Sequence, residues 1–181
     1  MTVNFLPILN FWFQELTSDQ WWKKDSTLDN HIRKNYSSLH QQATKGELWE
    51  WRTTAEGRLT EILILDQFSR HIYRDQPQAF ENDSTALVLA QEAIFLKSDL
   101  DLKPVERSFL YLPFMHSESA KIHQVAVTLY TALGLENNLA FELKHKHIID
   151  RFGRYPHRNE ILGRISTPEE LEFLQQEDSR F

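Results

Sequence analysis

The chain contains no cysteine. Disulfides and thiolate chemistry are therefore excluded, and a zinc site would have to be built from His, Asp or Glu alone. A reducing cytosol is compatible with this composition. Glycine and proline are scarce, five and six in 181 residues, too few for a chain of tight β-turns. No apolar run approaches the length of a membrane span, and the stretch from Met1 to Leu16 lacks the basic front of a signal peptide. These absences lead to the expectation of a cytoplasmic protein with no membrane partner. There is also no excess of positive charge. With 20 Lys and Arg against 26 Asp and Glu, the net charge is −6, which disfavours nucleic-acid binding through phosphate neutralisation. A local basic pocket in an acidic protein is still allowed, and it would favour small anions over polyanions.

What the chain does have is apolar and aromatic residues at helical spacing. Hydrophobic residues make up 41%, with five Trp and twelve Phe, enough for one sizeable core in a single domain spanning 1–181. Phe5, Ile8, Leu9, Trp12 and Phe13 share a helix face after a candidate cap at Asn4. Trp21 and Trp22 follow in a turn or short helix. A second helix opens at Asp25 or Ser26, carries Leu28, Ile32, Tyr36, Leu39 and Ala43, and stops at Gly46. The third, from about Glu56 to Tyr73, holds Ile62 to Leu65, apolar nearly all round, and is placed at the centre of the core. A fourth runs from Asp83 or Ser84 to about Lys97, and a polar loop follows. Pro104 suits the first turn of a fifth helix, which Pro113 is expected to break or kink. A sixth ends at Gly134, and a seventh covers about Asn138 to Phe152. The last opens at Thr167-Pro168-Glu169-Glu170, a capping-box pattern with proline at the first helical position. No alternating strand pattern competes. The fold class is all-α, seven to eight antiparallel helices, and no repeat is legible from pattern alone.

Three stretches could carry chemistry. In the first, Asp66, Arg70 and Arg74 are spaced four apart on one helix face. Asp66 follows the apolar run directly, so it is expected to be at least partly buried and in need of a partner. A structural ion-pair network is the reading that requires least, ahead of an acid or base catalyst. The second is His116-Ser117-Glu118 after Pro113. This places His116 at a helix junction, Ser117 as a cap for the next helix and Glu118 in its first turn. His116 could act as a general base oriented by a carboxylate. It could equally be a histidine satisfied inside the junction. His116, His123 and His147 with a carboxylate could bind a metal, but no HExxH spacing exists, and no metal and no cofactor is expected. Ser117 lacks a nucleophile elbow.

The third stretch, His145 to Arg164, holds four arginines and three histidines against two carboxylates, Asp150 and Glu160. Gly153 can adopt positive φ, Tyr155 and Pro156 stiffen the segment, and His157, Arg158 and Asn159 supply donors. Arginine forks fit carboxylate and phosphate, so Arg151, Arg154, Arg158 and Arg164 could line a pocket for a small anion. They could instead neutralise Asp66, Glu118 and helix C-termini, tying the last third of the chain to the central helix.

These motifs together resemble a known family. Phe11-Trp12-Phe13, Leu65-Asp66-Gln67-Phe68-Ser69-Arg70 with Arg74, and the run from Tyr111 to Glu118 are three of its signatures. The run from Arg151 to Asn159 with Gly163-Arg164 and Thr167-Pro168-Glu169-Glu170 is the fourth. In that order they are similar to the bacterial domain-of-unknown-function family nine-two-four. The resemblance implies a tetratricopeptide-like helical array and a set of motif positions, but no reaction. Where that family often has Pro and Asn around Arg70, this chain has Ser69 and His71; where it often has Phe, this chain has Tyr155.

From the residues, the leading expectation is an arginine- and histidine-lined pocket for a phosphate- or carboxylate-bearing molecule. Asp66, Arg70, Arg74, His116, Glu118, Arg151, Arg154, His157, Arg158, Asn159 and Arg164 would build it. Should the protein be an enzyme, His116 or His157 is the acid or base, with Glu118 or Asp66 orienting it. Two alternatives stand beside this: a peptide- or protein-binding module signalled by exposed Trp21, Trp22, Trp49 or Trp51, and a metal-dependent hydrolase. Oligomeric state is not readable.

Overall fold

The computed structural model describes residues 4–176 and 179. Met1 to Val3, the front of the stretch read above for a targeting signal, lie outside them. Among the described residues all regular structure is helical, with no strand. Among these residues no helix is long and apolar enough to cross a membrane.

The first helix, α1 (Leu6–Asn10), passes directly into a π-helical turn at Phe11–Glu15. The N-cap is Phe5 and not the expected Asn4, which stands one residue earlier and accepts the Leu6 N–H on its side-chain oxygen at 3.0 Å. The widened turn brings Phe11 as well as Trp12 into the core. The short helix α2 (Ser18–Trp22) opens at Thr17, whose N–H is accepted by the Gln20 side chain at 2.9 Å. Asp25 caps α3 (Ser26–Thr44) by accepting from the Thr27 and Leu28 N–H groups at 2.8 and 3.3 Å.

The central helix begins as α4 (Ala55–Leu63), widens into a second π-turn at Ile64–Phe68 and resumes as α5 (Ser69–Ile72). Its residues Leu59, Ile62, Leu63, Ile64, Leu65 and Phe68 are all at most 1% exposed, so this run is the core centre that its composition predicts. Thr54 caps α4 by accepting the Gly57 N–H at 3.0 Å. Gly57 is required here. A Cβ on it would stand 2.0 Å from the carbonyl oxygen of Trp51, in the 3₁₀ turn Trp49–Thr53 that crosses the helix start. Gly57→Ala is expected to cost about 1–3 kcal/mol by forcing that turn outward. An unchanged urea midpoint would show that the turn yields freely.

Four longer helices follow: α6 (Asp83–Phe95), α7 (Pro104–Met115), α8 (Ala120–Leu133) and α9 (Glu136–Phe152). Each packs on the next, while α4 packs on α6 and α3 on α5. The last helix is α10 (Pro168–Phe173), capped by Thr167 and Glu170 as its sequence predicts. The fourth helix stops at Phe95, short of the expected Lys97, because Lys97 takes a left-handed φ of 60°.

Two further expectations are corrected at the α7–α8 junction. Pro113 lies inside α7 and does not end it. One N–H is missing in the last turn, and the helix continues to Met115. The residue at the start of α8 is Ser119, so Ser117 is not a cap and Glu118 lies before the first turn. A small second core of Ile148, Ile149, Tyr155 and Phe173 joins α9 to the final segment.

Candidate functional site

The π-turn at Ile64–Phe68 sets up the site. Turns of this kind inside α-helices are often found where side chains must be re-aimed. Here consecutive polar residues, Asp66 and Gln67, both become buried. Asp66 is 1% exposed, and its carboxylate takes three partners. The imidazole of His116 reaches Oδ1 through Nδ1 at 2.7 Å, Gln67 Nε2 donates to Oδ2 at 2.6 Å, and Arg70 Nη1 lies 3.3 Å from Oδ1. Burial pushes the Asp66 carboxyl up. The Arg70 charge, together with His116 and the Gln67 hydrogen bond, outweighs burial and holds it well below the usual carboxylate range. Asp66 is therefore ionised and accepts Nδ1–H. Burial, and then the Arg70 charge, lower the His116 pKa from 6.5 against the pull of Asp66. At neutral pH the imidazole is uncharged, with its lone pair on Nε2.

The expected Asp66–Arg70 pair is present, but Arg70 has a stronger partner. It grips Asp83, in the first turn of α6, through both terminal nitrogens at 3.0 and 3.1 Å. Arg74 shares the face but turns to Asp29 of α3, donating at 2.5 and 2.6 Å, and His71 Nδ1 meets the same carboxylate at 2.7 Å. The three-residue stripe thus divides between two carboxylate centres.

The late loop begins where Gly153, at φ 68°, ends α9. Glu118 is a hub for it. One carboxylate oxygen accepts the Tyr155 N–H at 2.8 Å, and the pair receives Arg164 in bidentate fashion at 2.7 and 3.0 Å. Burial raises the Glu118 carboxyl, but Arg164 and the Tyr155 N–H bring it below its ordinary value. Glu170 is the second hub. It is gripped by Arg154 at 2.6 and 2.8 Å, accepts from the fully buried Asn159, and is pulled down to about 2, chiefly by the Arg154 hydrogen bonds. Arg151 pairs with the exposed Glu169. Four of the predicted ligand donors, Arg151, Arg154, Asn159 and Arg164, therefore tie the last third of the chain together.

Arg158 differs from them. Its guanidinium is sandwiched between the rings of Phe80 and Tyr155, 4.6 Å from each centroid. It is 7% exposed, and its one carboxylate contact among the described residues is a single 3.2 Å bond to Asp83, already chelated by Arg70. Its buried Nε has no hydrogen-bond partner among the described residues. Burial lowers its pKa, partly offset by Asp83.

These groups open onto one cleft of about 1290 Å³. Of the predicted residues, Arg70, Arg74, His116, His157, Arg158 and Arg164 line it. Asp66, Glu118 and Asn159 stand behind as their partners, and Arg151 and Arg154 are not among its lining residues. Sequence reasoning missed Asp83 and Phe80 as parts of the site, and it placed His145 in the late stretch without choosing it as a ligand residue. Asp83 was legible as a helix start, but its pairing with Arg70 and Arg158 depends on how α6 crosses the central helix. Among the described residues no three His, Asp or Glu side chains converge to hold a metal ion.

Comparison with known proteins is informative on family. The family model described as a bacterial protein of unknown function (DUF924) matches residues 8–178. A solved structure of a protein of unknown function from Agrobacterium tumefaciens is 37% identical, covers 94% of this chain and 96% of its own, and superposes with a TM-score of 0.90. No curated protein matches.

Proposed function

The chain belongs to the bacterial family of unknown function DUF924, and within that fold we propose that the cleft binds a small carboxylate- or phosphate-bearing anion through Arg158 and Arg70. The observation that supports this is the under-compensation of Arg158. Arg74, Arg154 and Arg164 each hold a carboxylate in a two-pronged grip, whereas Arg158 has one long bond to a shared one. A desolvated guanidinium with unfilled donors is costly unless an acceptor arrives. Phe80 and Tyr155 fix its plane, so little side-chain entropy remains to be lost on binding. A cytoplasmic setting, with which the lack of cysteine is compatible, would supply such metabolites.

The test is a thermal-shift screen with phosphorylated and carboxylated metabolites on the parent and on Arg158→Met. A ligand at a hundred times its dissociation constant adds roughly 2.7 kcal/mol of apparent stability, a rise of about 5–10 °C for a chain of this size. The rise is expected in the parent and not in the variant. Because Asp83 keeps Arg70, Arg158→Met without ligand should unfold within a few degrees of the parent. No rise with any anion would overturn the reading.

A second reading, a tetratricopeptide-type peptide-binding module, draws on two exposed indoles. Trp22 and Trp49 are 57% and 62% exposed, while Trp51 is buried and Trp21 half-buried. Trp22 lines the cleft and Trp49 does not. A peptide would therefore enter at Trp22 with an acidic group toward Arg158, and stabilisation by acidic peptides but not by small anions would favour it.

A further inference from the structure

We propose that an anion entering the cleft brings one proton with it onto His116, so that binding is proton-coupled and the imidazolium becomes a donor to the ligand. This rests on the anion-binding reading above and adds the state in which the site accepts its ligand.

The argument is a charge count around one side chain. His116 is faced by Asp66 of the π-turn, Arg70 of α5, Asp83 of α6 and His145 of α9. Arg158 and Tyr155 of the late loop, with His71 and His157, line the same cleft. Arg70 and Arg158 are positive, Asp66 and Asp83 are negative, and the four are linked through shared contacts of 3.0–3.3 Å. With His116 neutral the cluster sums to zero. A bound monoanion leaves one negative charge unbalanced in a partly desolvated cleft, and a dianion such as sulfate leaves two, where each such charge is expensive.

A single proton cancels the charge of a monoanion and half that of sulfate, and the geometry selects the atom that takes it. Nδ1 of His116 already carries its hydrogen, directed at ionised Asp66. Nε2 makes no hydrogen bond among the described residues, and the ring lines the cleft. Protonation there creates an N–H donor without breaking any existing contact. The competing groups are worse placed. His145 already uses Nδ1 on the Phe141 carbonyl, and burial pushes its pKa down to about 3. The Tyr155 hydroxyl donates to the Met115 carbonyl. Asp66 cannot take the proton cheaply, because Arg70, His116 and Gln67 all stabilise its charged form.

Sulfate is the appropriate probe, because it does not itself titrate near neutrality. Calorimetry of sulfate binding in two buffers of different ionisation enthalpy is expected to show uptake of up to about one proton per ion near pH 7. The dissociation constant should rise by up to about tenfold per pH unit above 6.5, since the free site must acquire the proton from a thinner supply. His116→Gln should bind sulfate more weakly, with the pH dependence and the uptake both gone. Binding without uptake in the parent, or a pH dependence that persists in His116→Gln, would overturn proton coupling at His116 while leaving the anion reading in place. No sulfate binding at any pH would overturn both. Absence of uptake in the parent overturns the coupling even if the variant does not fold, and in that case His116→Asn supplies the second test of where the proton goes.

Discussion

Asp66→Ala is expected to destabilise the protein by about 3–5 kcal/mol, the range for removing one member of a buried, hydrogen-bonded charge cluster. The side chain is 1% exposed and has three partners, and water cannot replace them all. Without it, Gln67 Nε2 loses its acceptor, and His116 loses the group that fixes its tautomer. Asp83 becomes the one carboxylate serving both Arg70 and Arg158. Asp66→Asn retains the shape and an acceptor for His116 Nδ1–H but not the charge, so it should fall between the parent and Asp66→Ala. Urea unfolding of the three proteins gives the comparison, with unchanged m-values as the check that the unfolding transition is the same. If Asp66→Asn matches the parent, the cluster is held by hydrogen bonding and shape, and charge balance around His116 is not what fixes it.

Asp66 also shows where sequence reading succeeds and where it stops. Its burial was legible because it follows four consecutive apolar residues on a helix whose every face must be covered. The i, i+4 contact to Arg70 was legible from spacing alone. The partners that define its chemistry were not, because His116 lies 50 residues on and Asp83 meets Arg70 only through the crossing of α6. The π-turns were invisible for a related reason: a 3.6-residue pattern is scarcely altered by one extra residue, yet that residue re-aims Asp66 and Gln67. Pro113 misled in the opposite direction. A proline in a helical pattern reads as a break, but one missing N–H in the last turn costs little when every residue from Ser108 to Met115 is buried by packing. In the late loop the excess of arginine was plain, and the expected neutralisation holds for Arg164 on Glu118, but Arg151 and Arg154 pair with Glu169 and Glu170 inside the last third and none of the four reaches Asp66. Which arginine was left short of an acceptor depended on Phe80 and Asp83, on a different helix approach.

Acid should destabilise this protein before its carboxylates titrate. Burial is the leading cause that lowers the pKa of His40, His71, His116 and His145 from 6.5, and for His145 it reaches about 3. In the unfolded chain these imidazoles protonate near 6.5; in the folded protein they resist it. The unfolded state therefore binds more protons below that pH, and stability falls as pH falls through 6.5. Each such histidine contributes a slope of up to about 1.4 kcal/mol per pH unit. His145 alone can remove up to about 2 kcal/mol between roughly pH 6.5 and 5, and the other three act in the same direction, against the 5–15 kcal/mol typical of a domain. The depressed carboxyls of Asp29, Asp66, Glu118 and Glu170 act in the same direction but later. Their contribution is complete above their unfolded values of 3.8 and 4.5 and is lost only as pH falls below those values. Urea midpoints at pH 7, 6 and 5 should thus fall steadily, and His145→Gln should flatten the line by up to about 1.4 kcal/mol per pH unit. Midpoints that do not move between pH 7 and 5 would show that these rings are hydrated enough to charge in place. The measurement belongs in buffers free of sulfate and phosphate. An anion in the cleft would hold the proton on His116 in the folded state, cancelling its share of the slope, so the difference between the two conditions reports on His116 separately from the other three.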